Sequence, residues 1–123
     1  MKIVRALRGA VCCQNTKESI MENVCSVFND LVLRNNLNAE DLISIQFSIT
    51  PDLTVLNPAT ALRKGNVRID VSEVPLFCSQ EPVIEGGMPF VIRVLIHAYM
   101  DQFANRKNTY LNGAEALRPD FAR

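Results

Sequence analysis

The stretch "PFVIRVLIHAYM", Pro89 to Met100, has the composition of a packed β-strand and yet contains an arginine. Val, Ile, Phe and Tyr dominate it, and these residue types favour a pleated, packed surface. Alternation along the strand places Arg93 on the same face as Leu95, His97 and Tyr99. Because burying an unpaired guanidinium is costly, Arg93 must meet a carboxylate, a backbone carbonyl or a ligand anion.

Length and composition predict one globular domain that spans residues 1–123. The chain is 48% hydrophobic, enough to bury a core, and its 13 basic and 13 acidic side chains cancel. No cluster of Lys and Arg could follow a phosphate backbone, which argues against nucleic acid as a partner. The sequence contains no run of about 18 apolar residues, the length needed to span a membrane. We therefore expect a soluble, cytoplasmic protein.

The first half of the chain alternates between strand and helix patterns. "KIVRALRGAVC", Lys2 to Cys12, alternates as a first strand. "NTKE" resembles a capping box with Asn15 as the cap of a helix that runs to about Asn35. A short helical turn capped by Asn38 leads into "LISIQFSIT", residues 42–50, where apolar and polar side chains alternate strictly.

The second half adds a short helix and further strands. Asn57 as cap and Pro58 at the first helical position predict a helix that Gly65 ends. The remaining predicted features are strands around "VRIDV" (67–71) and "PLFCSQ" (75–80), a turn at Gly86 and Gly87, the strand of Arg93, a turn at Asn112 and Gly113, and a final extended piece. The fold class is α/β (α+β), with a mixed sheet of about five strands and helices on one face.

The sheet face away from the helices carries the unusual residues. Arg93, His97 and Tyr99 are too polar to form the core of a solitary subunit. Self-association, with a site between subunits, is the economical way to cover this face.

Several kinds of chemistry find little support. His97 is the only histidine, so a multi-histidine metal site is excluded, and Cys78 with His97 is the one conceivable nucleophile pair. Gly86 and Gly87 lack a phosphate-binding pattern. The four cysteines lack paired spacing and are expected to be reduced thiols: Cys12, Cys13, Cys25 and Cys78.

Arginines in structured positions remain as candidates. Arg outnumbers Lys in this chain, and a guanidinium grips a carboxylate in a planar, two-pronged way. A small substrate with two carboxylates, handled without acid, base or metal, would need such a set. The candidates are Arg8, Arg63, Arg93 and Arg118.

Ordered motifs cover nearly the whole chain, from about Val4 to Asp120. They are "RGA" at Arg8, "TPDL" at Thr50, "PA.ALR" at Pro58, "C.QE" at Cys78, "GG" followed by "IR" ending at Arg93, "YL" at Tyr110 and "LRPD" at Leu117. In this order they resemble the monofunctional, AroH-type chorismate mutases of Bacillus-like bacteria.

The resemblance implies a homotrimer of α/β subunits that forms a pseudo-barrel, with three active sites at subunit interfaces. It implies the intramolecular Claisen rearrangement of chorismate to prephenate, on the route to phenylalanine and tyrosine, with no cofactor and no metal. A pericyclic step of this kind requires neither a nucleophile nor proton transfer, which agrees with the residues available.

By the resemblance, Arg93 would bond the ether oxygen, where negative charge develops, and a substrate carboxylate. Arg8 and Tyr110 would bind the side-chain carboxylate, and Glu81 would accept a hydrogen bond from the ring hydroxyl. Three further residues would line or close the pocket: Cys78, Arg63 and Arg118.

The chain departs from this family near the site entrance. Asn57 stands where an aromatic residue is usual, and Thr60 stands where a lysine is usual. These changes are expected to weaken substrate attraction more than the chemical step. "RGAVCC" also places Cys12 and Cys13 where threonines are usual.

Two alternatives share the same architecture. One is a trimeric enamine/imine deaminase, which also uses an interfacial arginine against a carboxylate. The other is a trimeric metabolite-binding module that kept the pocket and lost turnover. Glu81 together with Arg8 and Tyr110 favours the mutase over the deaminase.

Overall fold

The computed structural model describes residues 1–121, which form a mixed five-stranded sheet with two α-helices packed on one face. The elements are β1 (Lys2–Cys12), α1 (Lys17–Arg34), β2 (Leu42–Ile49), α2 (Pro58–Lys64), β3 (Leu76–Gln80), β4 (Val91–Asp101) and β5 (Thr109–Leu111). Short 3-10 helices cover Ala39–Asp41, Ala114–Leu117 and Pro119–Phe121. The predicted fold class and strand number are confirmed.

The strand that contains Arg93 is the centre of the sheet. The strand order is β3-β2-β4-β1-β5, so β4 has a bonded neighbour on each side. It runs antiparallel to both β1 and β2, whereas β3 and β5 run parallel to the strands they flank. The sheet is therefore mixed, and β4 controls the register of most of it.

Alternation along β4 divides the sheet into two chemically different faces. Ile96 lies opposite Leu7 of β1 and Ile45 of β2, and all three side chains are fully buried against the helices. The apolar stripe of α1 supplies the other half of this core: Ile20, Val24, Val27, Phe28 and Leu31. The opposite surface of the sheet, here called the open face, carries Arg93.

Side-chain hydrogen bonds fix the point where β4 begins. The Thr50 hydroxyl accepts from the backbone N–H of Val91 at 3.0 Å and donates to the Asp52 carboxylate at 2.6 Å. The same carboxylate accepts from the backbone N–H of Phe90 at 3.1 Å. Phe90 has φ = 57°, a left-handed conformation that costs a non-glycine residue roughly 1–2 kcal/mol. These bonds stabilise that turn and hold the register of β4.

The N-terminal cap of α1 differs from the prediction. Thr16, not Asn15, caps the helix, because its hydroxyl accepts from the backbone N–H of Ser19 at 3.1 Å. The side-chain oxygen Oδ1 of Asn15 instead accepts from the backbone N–H of Thr54 at 2.9 Å. A tertiary contact therefore takes the side chain that the local pattern assigned to the cap. The predicted end of α1 is confirmed within one residue.

The predicted strand at residues 67–71 is wrong. The backbone N–H of Arg68 donates to the side chain of Asn29 on α1 at 2.8 Å, so this segment is bound to a helix and not to a sheet edge. Val71 is buried and explains the apolar pattern. The fifth strand is Thr109–Leu111, which comes just before the predicted turn at Asn112–Gly113.

Gly9→Ala should lower the free energy of unfolding by about 1–3 kcal/mol, the usual cost of overpacking. A Cβ at this position would lie 2.9 Å from the carbonyl oxygen of Thr109 and 3.0 Å from Cδ1 of Leu31. Urea denaturation at fixed protein concentration measures the change. Gly86→Ala is the comparison for the backbone cost alone, because a Cβ there meets nothing within 4 Å and any loss of stability comes from the positive φ. An unchanged midpoint for Gly9→Ala would contradict the close helix packing.

Candidate active site

A groove of about 300 Å³ lies on the open face, where β1, β2, β4 and β5 come together. Its lining residues are Arg8, Gly9, Gln46, Ser48, Arg93, Val94, Leu95, Tyr110 and Arg118. Four of the residues predicted from sequence therefore meet in one depression of one subunit: Arg8, Arg93, Tyr110 and Arg118.

Sheet register explains why these side chains converge. Arg93 lies directly between Ser48 of β2 and Ala10 of β1, and Ala10 is in turn paired with Tyr110 of β5. Arg8 precedes Ala10 by two residues and so points to the same face. The row Ser48, Arg93, Ala10, Tyr110 crosses four strands, with a small alanine leaving space in the middle.

Glu81 is the carboxylate partner of Arg93. It directly follows β3, and its backbone N–H donates to the carbonyl of Ile49 at 2.7 Å. Nε of Arg93 lies 2.8 Å from Oε1 of Glu81, and the side chains are 41% and 19% exposed. The hydroxyl of Ser48 donates to the same oxygen at 2.5 Å. The arginine within the central strand is therefore paired, and it also lines an open groove.

The C-terminal segment lies beside the groove. Arg118 donates to the Asp120 carboxylate through Nε at 3.1 Å and through an Nη at 2.7 Å. This two-pronged contact raises the pKa of Arg118 and lowers the pKa of Asp120, and the positive charge of Arg8 acts on Asp120 in the same direction. Asp120 and Arg8 also share the lining of an adjoining cavity. An acidic side chain thus stands between two of the groove's arginines.

Three predicted site residues do not line this groove within their own subunit. Glu81 contacts Arg93 beside the groove, whereas Cys78 and Arg63 lie elsewhere. Cys78 lies opposite Phe47, a buried residue of the helix side, and packs against that core. Arg63 is at the end of α2, in the helix layer, and its closest side-chain partner is the Thr60 hydroxyl at 3.4 Å. Both residues lie away from Arg93 in the single chain.

The catalytic Cys78–His97 pair receives no support from the geometry. His97 is on the open face, where its Nδ1 lies 3.3 Å from the Ser44 hydroxyl, whereas Cys78 is on the helix side. Burial raises the pKa of the Cys78 thiol, which disfavours the nucleophilic thiolate. The sheet therefore separates the two side chains.

The residues at the two unusual entrance positions serve α2. The Asn57 side chain accepts from the backbone N–H of Ala59 at 2.8 Å, which makes it the predicted cap. Thr60 contacts Arg63 within the same helix. Asn57 therefore caps α2 at its start, and Thr60 contacts the guanidinium of Arg63 near its end.

Sequence reasoning missed Ser48 and Gln46 as groove residues. Strict alternation in β2 did place both on its polar face. Their positions next to Arg93 and Leu95 depend on the register between β2 and β4. No local pattern encodes that register, so the Ser48–Glu81 contact could not be predicted from the sequence.

Over the described part of the chain, residues 1–121, no group of three or more His, Cys, Asp and Glu side chains could hold a metal ion. No helix in that range combines the length and apolar character needed to cross a membrane. The groove is lined by guanidinium groups and a phenol, and the Glu81 carboxylate contacts Arg93 beside it. These groups can bind a small dianion and accept a hydrogen bond from a ligand hydroxyl.

Comparison with known proteins agrees with these features. The family described as chorismate mutase type I matches residues 4–121. The chorismate mutase AroH of Bacillus subtilis is 30% identical over 98% of this chain and 94% of its own length. The AroH of Thermus thermophilus is 34% identical over 96% of each chain. A solved chorismate mutase from Clostridium thermocellum superposes with a TM-score of 0.80 at 30% identity, covering 91% of this chain and 98% of its own. The chain belongs to the chorismate mutase type I family.

Proposed function

We propose that this protein rearranges chorismate to prephenate in the open-face groove, as a step toward phenylalanine and tyrosine. Membership of the chorismate mutase type I family supports this activity and favours it over a deaminase. The observation that carries the assignment of the site is the Arg93–Glu81 pair, which adjoins Arg8 and Tyr110 on one sheet face. The four cysteines are free thiols, which agrees with a reducing compartment such as the cytoplasm.

The reaction needs orientation and electrostatic stabilisation. In an intramolecular Claisen rearrangement one C–O bond breaks while one C–C bond forms, and no proton or external electron pair is transferred. A protein accelerates such a step by holding the reactive folded conformer and by placing positive charge where the ether oxygen gains electron density. Arg93 is suited to the second task, because its guanidinium lines the groove from the rigid central strand.

The other cationic side chains of the groove bind the two substrate carboxylates. Arg8 is on the neighbouring strand β1, and the Tyr110 hydroxyl offers a further donor on β5. Arg118 lines the groove from the C-terminal segment, where it would close over bound substrate. Glu81 accepts a hydrogen bond from the ring hydroxyl, since it is the carboxylate that contacts Arg93.

A homotrimer would complete this site. Arg63 and Cys78 do not line the groove of their own subunit, so they can contribute only from an adjacent copy. The open face also exposes apolar side chains that a neighbour would cover, with Phe77 69% and Val4 53% exposed. Phe77 lies on β3, the edge strand, in the same row as Arg8. The β3 edge and Arg8 of the groove therefore lie at opposite ends of one row. The β3 edge of one subunit can contact the groove of the next, and such a head-to-tail contact can close into a ring of three.

The proposed activity is tested by adding chorismate to the purified protein and following its ultraviolet absorbance. Loss of the diene signal with stoichiometric appearance of prephenate is the expected result. Binding of chorismate without turnover would instead identify the non-catalytic module of the same fold. A catalysed loss of ammonia from an enamine, with no action on chorismate, would identify the deaminase.

Arg93→Ala should lower kcat by roughly 10²- to 10³-fold with a smaller change in KM, because the interaction strengthens in the transition state. Arg93→Lys should not restore kcat, since an ammonium cannot span the ether oxygen and a carboxylate as a planar fork does. Arg8→Ala should chiefly raise KM. Steady-state kinetics on folded proteins measures all three. Near-normal kcat in Arg93→Lys would refute the role of Arg93.

Glu81→Gln should keep part of the activity, because the amide still offers an acceptor oxygen for the ring hydroxyl. Glu81→Ala should lose most of it. The ratio of the two kcat/KM values, measured under the same conditions, is the informative quantity. An equal and complete loss in both variants would point to proton transfer by Glu81 instead.

Light scattering in dilute buffer should give the mass of three chains. Phe77→Glu should shift the population toward smaller species with loss of activity, because a charge on the β3 edge opposes burial there. Leu33→Glu is the matched control, an exposed apolar residue of α1 at 54% exposure, and should leave the mass unchanged. A monomer that turns over chorismate at full rate would contradict the interfacial site.

A further inference from the structure

The geometry points to Ser48 as a positioning residue that keeps Glu81 and Arg93 in the arrangement the reaction requires. This inference rests on the proposed function of the groove. It concerns a residue to which no role was assigned above. Ser48 is on β2, directly opposite Arg93 in the antiparallel register with β4. Glu81 reaches across β2 at this point, because β2 lies between β3 and β4.

Ser48 and Arg93 contact the same oxygen of the Glu81 carboxylate. The Ser48 hydroxyl donates to Oε1 at 2.5 Å, and Nε of Arg93 approaches that oxygen at 2.8 Å. A short bond of this length is characteristic of a hydroxyl donating to an ionised carboxylate. Two partners on one oxygen fix the carboxylate by one edge and leave Oε2 to accept from a ligand hydroxyl.

Without the serine hydroxyl, another arrangement becomes available to the pair. Arginine and carboxylate groups prefer a two-pronged contact, in which both oxygens face two guanidinium N–H groups. That contact would occupy the second oxygen of Glu81 and further donors of Arg93, so both side chains would be less available to substrate. Ser48 opposes it by holding Oε1 toward β2. Its hydroxyl thus preserves the acceptor for the ring hydroxyl and the donors for the ether oxygen.

The same strand offers a matched control for this serine. Ser44 has the same side chain and lies on the same face of β2, four residues earlier, but it contacts His97 and lies outside the groove lining. Ser44→Ala therefore removes a hydroxyl from the open face without touching Glu81. Ser48→Thr keeps a hydroxyl donor, whereas Ser48→Cys keeps the volume and offers only a weak one.

Steady-state kinetics with chorismate should show that Ser48→Ala lowers kcat/KM by roughly ten- to a hundredfold, the range expected for a hydrogen bond to a charged group. Most of this loss should fall on kcat. Ser44→Ala should retain the parent activity, and Ser48→Thr should retain at least half of it. Ser48→Cys should lose as much activity as Ser48→Ala. If Ser48→Ala did not fold by circular dichroism, the comparison of Ser48→Cys with Ser48→Thr would carry the test.

A double-mutant cycle separates positioning from general structural support. Ser48→Ala should cause no further loss when Glu81 is already replaced by alanine, measured at raised enzyme concentration, because there is then no carboxylate to position. Two outcomes would overturn the inference. In one, Ser48→Ala leaves the parent kcat/KM unchanged, and in the other its effect adds in full to that of Glu81→Ala. Near-normal activity of Glu81→Ala alone would instead overturn the proposed role of Glu81, so the two failures are distinguishable.

Discussion

The ion pair between Arg93 and Glu81 joins the centre of the sheet to its edge. Arg93 belongs to β4, which has neighbours on both sides, and Glu81 follows β3, which is bonded only to β2. The pair therefore crosses β2 on the open face and ties the end of β3 to the strand that sets the register. With side chains only partly exposed, each charge depends on the other for compensation. The link lies beside the groove that Arg93 lines.

Alternation in β4 makes such an arrangement possible. Residues that face the helices are almost uniformly aliphatic and fully buried, so the strand cannot shift by one residue without placing them on the opposite surface. Asp52 and Thr50 add a second restraint where the strand begins. Arg93 is thus placed by core packing on one side and by a polar clamp at one end. A guanidinium held in this way loses little freedom when an anion arrives.

The sequence predicted those parts of the molecule in which a local pattern and the tertiary structure agree. β1, β2 and β4 alternate clearly, and Asn57 with Pro58 and Gly65 marks the bounds of α2. It failed where a distant group competes, as Asn29 does for the backbone near Arg68. Among the groove residues, Arg8, Arg93 and Arg118 could be predicted from their placement and family motifs. The contribution of Ser48 could not, since it depends on which residue of β4 lies beside it.

The bidentate contact between Arg118 and Asp120 would make the proposed binding of a substrate carboxylate by Arg118 an exchange reaction. A substrate carboxylate that engages Arg118 replaces a carboxylate already present, so the net gain is the difference between two similar ion pairs. The same exchange runs in reverse when the product leaves, because Asp120 can reclaim the guanidinium as it is released. This competition would lower the affinity for substrate and product alike. A site built in this way favours rapid turnover over tight occupancy.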